Sequence, residues 1–135
     1  MKNENSPEAV INSVTKVSLT PNLAEMFFQA AQPKSENFDL PGVGLVNIVE
    51  LREVEVSRIR KHVESEQDNA RRSKLFGMGM VVKSVRKDGV CVFGENDIDR
   101  FADAGNSSVE KLAGVVLRVN GYGVETSTAS NTLGN

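Results

Sequence analysis

The chain has 135 residues, 16 Lys+Arg against 18 Asp+Glu, one cysteine and one histidine. At this length a single domain buries roughly two-thirds of the surface that its unfolded chain exposes, so a core forms without staples. Lone Cys91 and lone His62 exclude an internal disulfide framework and most zinc sites, and no apolar run reaches the ~18 residues that a membrane span requires.

The start, MKNENSPEAV, is polar and lacks the apolar stretch of a secretory signal, which predicts a soluble, cytoplasmic protein. Acid and base are mixed and nearly balanced, at a net charge of −2, which argues against a dedicated nucleic-acid binder. Six Phe, one Tyr and no Trp leave little from which to build stacking platforms for bases or sugars.

Residues 1–5 are expected to be disordered. Ser6-Pro7 reads as an N-cap and first helical position, because proline lacks an N–H that a helix start cannot use. Val10, Val14 and Val17 follow as a thin apolar stripe. Thr20-Pro21 repeats the signal ahead of Leu23, Met26, Phe27, Ala30 and Ala31, and Pro33 stops this second helix.

ENFDLPGVGLVNIVEL changes character. Its glycines and proline break any helix, and β-branched residues gather beyond them, so an extended arm or hairpin is expected over 37–49, with a turn at Pro41 to Gly44. Glu53 to about Ala70 reads as a charged helix with a narrow stripe of Val56, Ile59, Val63 and Ala70, supported by an Asp68–Arg72 pair. Leu75, Met78, Val82 and Val85 continue as a helical seam, although Gly77 and Gly79 each cost a helix about 1 kcal/mol relative to alanine. The reading adopted is a helix to about Val85, then a tight two-stranded turn through Asp88-Gly89. Asn96 is expected to cap a short helix carrying Ile98 and Phe101. Ser107-x-x-Glu110 has the capping-box spacing, ahead of the stripe Val109, Leu112, Ala113, Val116 and Val119. From Gly121 the chain is rich in Gly, Ser, Thr and Asn. The expectation is therefore a mainly α protein with a small β-hairpin component (α+β): a disordered 1–5, one helical domain over 6–120 and a flexible tail over 121–135.

Sites of chemistry are weak. A calcium loop centred on Gly89 would take ligands from Ser84, Arg86, Asp88 and Glu95, and an arginine opposes a cation. Cys91 stands among Val90, Val92 and Phe93, where a buried thiol is a small hydrophobe of low reactivity. His62-Val63-Glu64 has the H-x-E spacing of zinc deaminases without the later P-C-x-x-C. GMGMVV places Val82 where a dinucleotide fingerprint needs its third glycine, and PGVG is a turn without a phosphate loop's Lys-Ser/Thr. Two helices around AGN over 97–119 have the outline of a helix-turn-helix, with Ser107, Ser108 and Lys111 as its readers. Phe101 is too large for its place, and Lys111 falls on a core position. No catalytic, cofactor or metal residue is assigned. Interaction chemistry remains: Phe27, Phe28, Phe76 and the flexible Met78 and Met80, with the Val56–Ile59–Val63 stripe, are the candidate partner or oligomer contacts.

The run from Asn37 to Asn120 resembles the tail assembly chaperones of lambda-like long-tailed phages. It carries an extended segment with a glycine turn, a charged helix, and then the passage from Val81 to Phe101: a helix, KDG, VF and an acidic helix start. The resemblance implies a protein without catalysis or cofactor. It would bind the phage tape measure protein, keep it soluble, recruit tail tube protein, self-associate into homo-oligomers and touch neither nucleic acid nor membrane. It would act in the host cytoplasm and leave the mature virion. A longer form made by ribosomal frameshifting is also implied, and the tail would then be its linker. The rival readings are a phage DNA-binding regulator using 97–119 and an adaptor retained in the particle.

Overall fold

The computed structural model describes residues 22–122. The expected disordered start, the helix opened by Ser6-Pro7, the Thr20-Pro21 signal and the tail from residue 123 lie outside the described residues. The chain divides into two compact units, residues 1–32 and 33–135, so a boundary falls inside the span expected as one domain.

In the first unit, helix α1 spans Leu23–Ala30. Its N-cap is Asn22, whose side-chain oxygen accepts the Glu25 N–H at 3.0 Å. Gln32 returns its amide to the Phe28 carbonyl at 3.0 Å. None of its residues is buried.

The second unit is α+β. Strands β1 (Ser35–Leu40) and β2 (Gly44–Val49) pair antiparallel from Ser35↔Val49 to Leu40↔Gly44, close to the arm expected over 37–49. Their turn has the type II pattern: Pro41 supplies its second position, Gly42 takes φ +79°, and the Val43 N–H donates to the Leu40 carbonyl at 3.0 Å. Alternation turns Phe38, Leu40, Val46 and Ile48 inward, while Asn37 and Asn47 join side chains outside at 2.8 Å.

Helix α2 spans Glu53–Val63 and α3 spans Asn69–Ser84. The single helix expected to Ala70 therefore breaks. Beyond Val63 the run Glu64 to Gln67 offers no apolar side chain to hold a further turn, and Asp68 starts the next helix by accepting the Ala70 N–H at 3.1 Å. Asp68 is thus a cap, not the ion-pair partner of Arg72. The Arg72 guanidinium bonds the Glu66 carbonyl at 2.6 Å and the Asn69 side chain. The helical reading of 75–85 holds despite two glycines. A Cβ on Gly79 would stand 2.8 Å from Cγ2 of Ile59, so glycine there lets α2 and α3 approach.

At Val85 the chain passes directly from helix into β3 (Val85–Lys87), which turns into β4 (Val90–Cys91) through Asp88 and Gly89, both at positive φ as a type I′ turn requires. Ile48↔Val85 joins the two hairpins into one antiparallel sheet, ordered β1-β2-β3-β4. Cys91 is exposed, contrary to the expected burial. It sits opposite Arg86 on a two-residue edge strand, too short to be covered on either face.

The short helix expected from Asn96 takes the form of two 3₁₀ segments, Glu95–Asp97 and Asp99–Asp103. The cap there is made by Asp97, whose carboxylate accepts the Gly94 N–H at 2.8 Å. Helix α4 spans Asn106–Val119 and follows Gly105, without the capping box expected of Ser107 and Glu110. Its Leu112 and Val116 meet Ile48, Met80, Val81 and Val85 in the core, where the sheet packs on α3 and α4. Asn120 ties three elements together. Its oxygen accepts the Leu51 N–H at 2.7 Å, and its nitrogen donates to Ser84 Oγ at 3.2 Å and to the Val116 carbonyl at 2.8 Å. No helix among the described residues is long and apolar enough to cross a membrane.

Candidate functional site

The residues weighed for chemistry fall into structural places. Ser84 is fully buried, and Arg86 turns toward Glu55 at 3.9 Å rather than into a loop. Among the described residues no three of His, Cys, Asp and Glu gather in one place. Gly77 and Gly79 lie inside α3, and Pro41 to Gly44 turn a hairpin. Over 97–119 the first partner of a helix-turn-helix is a 3₁₀ segment, with Phe101 packed edge-on to Phe93 at 5.1 Å.

The candidate contacts divide. Val56, Ile59 and Met80 are core residues, at most 8 % exposed, which corrects their assignment to a contact surface, and Met78 is buried to the same degree with only an edge left at the surface. The stripes that carry them face other elements of the same unit: α2 packs on α3, and α3 on α4. Val63 and Phe76 are half-buried. Phe76 lies under the Arg60 guanidinium, 5.3 Å from its ring centre, and Arg60 also donates to the Tyr122 hydroxyl at 2.7 Å.

Phe27 and Phe28 are open, at 63 % and 60 % exposed, and Leu23 and Met26 beside them are exposed as well. Leu23, Met26, Phe27 and Ala30 follow the i, i+3, i+4, i+7 spacing by which a helix presents one apolar face.

A second surface has no single motif. A groove of about 540 Å³ runs between α3, the 3₁₀ segments and α4. Leu75, Met78, Ile98, Phe101, Val109 and Leu117 make its apolar lining. To this groove α3 contributes Arg71 and Lys74, the second 3₁₀ segment contributes Asp99, and α4 contributes Glu110. Arg71 holds Glu66 at 3.1 Å, whereas Lys74, Asp99 and Glu110 make no ion pair among the described residues. The sequence offered only part of this lining: Val109 stood in the stripe expected of α4, and Leu117 did not.

Three carboxylates are held below their ordinary range, all outside these surfaces. Glu36 is lowered by its hydrogen bond to Arg118 at 2.8 Å. Glu55 is lowered first by the Arg52 N–H at 2.8 Å, and Asp97 by the Gly94 N–H. They fix element ends and sheet-to-helix contacts.

Compared with models of protein families, with curated proteins and with solved structures, the chain matches none.

Proposed function

We propose that this chain is a non-enzymatic tail assembly chaperone of a long-tailed phage, which binds the tape measure protein, keeps it soluble and promotes polymerisation of tail tube protein. The observation that carries the reading is the apolar face of α1, with Leu23, Met26 and Phe27 exposed together and Phe28 exposed beside Phe27. Four large apolar side chains within six residues are costly to leave in water, so a partner that covers them gains hydrophobic free energy. The resemblance over Asn37 to Asn120 supplies the phage context, and the α+β unit gives that stretch a single core. Self-association, work in the host cytoplasm, absence from the virion and a frameshifted longer form belong to the same proposal.

The test is co-expression of the full chain with the tape measure protein of the same phage. The wild type should carry the tape measure protein into the soluble fraction. Phe27→Ser/Phe28→Ser, which changes only exposed side chains, should lose most of that effect with unaltered melting of the 33–122 unit. Equal solubility with and without the chain would sink the reading. Finding the chain in purified virions would turn it toward an adaptor.

A further inference from the structure

The geometry points to the groove between α3 and α4 as a receptor for an amphipathic helix of another protein, one carrying acidic side chains along one flank and basic ones along the other. Two of its sides are α-helices whose backbone groups are already bonded within themselves, and the third is the 3₁₀ segment, with its own i→i+3 bonds at Phe101 and Ala104. An extended peptide would find no ladder to join there and would leave its own N–H groups unpaired against an apolar floor. A helix satisfies its backbone internally, so a helix fits. The walls run from Arg71 to Met78 and from Asn106 to Leu117, which at 1.5 Å per residue is about 12–18 Å, or two to three turns.

Charge decides the occupant further. Lys74 lines the groove from α3 and Glu110 from α4, with Asp99 on the 3₁₀ segment between, and none of the three is engaged in an ion pair among the described residues. A helix with one acidic and one basic flank meets both walls at once. A helix with two like flanks meets one wall and is repelled by the other. Turning the helix end for end exchanges its flanks, so the walls select the direction in which the guest lies as well as its composition. The site stands whether or not the chain is a tail chaperone, because α1 and not the groove carries that reading.

The test uses the full-length protein and three fluorescein-labelled peptides of about 14 residues sharing one apolar face. One has acidic and basic flanks, one has two acidic flanks and one has two basic flanks. By fluorescence anisotropy the split peptide should bind about tenfold more tightly than either uniform peptide, as two or three exposed ion pairs allow. Lys74→Glu should move the preference to the basic peptide, and Glu110→Lys to the acidic one. Both positions are exposed, and a thermal melt reports folding. Equal affinities, no binding by any peptide, or a ranking that neither variant changes would overturn the proposal. So would a self-associated species in sedimentation that Lys74→Glu dissociates, because the occupant would then be a second copy.

Discussion

Asn120 uses its side-chain oxygen and both amide hydrogens: the Leu51 N–H enters, and the bonds to Ser84 Oγ and the Val116 carbonyl leave. Ser84 has no exposure to water, so the amide supplies a bond that solvent cannot. Asn120→Ala strands these groups and is expected to cost about 2 kcal/mol, read as a lower urea midpoint at unchanged slope. In the sequence Asn120 is only a polar residue before Gly121 at a helix end. Its partners lie near residues 51 and 84, and no local pattern carries a bond over that distance. Cys91 shows the opposite error. Its apolar neighbours suggest burial, but Val90 beside it is exposed as well, because a two-residue edge strand is covered on neither face.

Gly77 and Gly79, two residues apart on α3, meet different surroundings. A Cβ at Gly77 finds open space, whereas one at Gly79 strikes Ile59, a buried residue of α2 that has little room to move. Gly77→Ala should therefore stabilise the protein by up to about 1 kcal/mol through helix propensity. Gly79→Ala should destabilise it by about 1–3 kcal/mol through overpacking, and paired thermal melts decide the signs. Both hairpins were legible, because Pro41-Gly42 and Asp88-Gly89 are turn chemistry written in adjacent residues. Their fusion through Ile48↔Val85 was not, since a sheet neighbour can come from anywhere in the chain. The break after Val63 was hidden for another reason. Asp68 suits an exposed helix face as well as a cap, and only the geometry selects between them.

Across the whole 33–122 unit, Glu36 joins β1 to Arg118 of α4, and Glu55 joins the start of α2 to Arg86 of β3. Their carboxyls, with that of Asp97, are held below the ordinary range in the folded state. Depressed values mean that the unfolded chain takes up protons first. This stabilisation is complete above the usual carboxylate pKa and is lost as pH falls through the lowered ones. Melting temperature should thus hold from neutrality to about pH 5 and drop below about pH 4. Glu36→Gln should reduce the acid drop, and a profile identical to wild type would remove Glu36 from the account. At this scale the candidate site was half legible. The open face of α1 follows from periodicity within eight residues, while the groove exists only once α3, the 3₁₀ segments and α4 have met. The same long-range closure orders the protein's synthesis. The β1–β2 hairpin pairs from local contacts within microseconds, but Val46 and Ile48 have no cover until Met80, Val81, Leu112 and Val116 have been made. Between the synthesis of Val49 and that of Val116, about half of the chain's translation, this apolar sheet face has no cover, and that is the interval in which nascent copies are most open to sticking to one another.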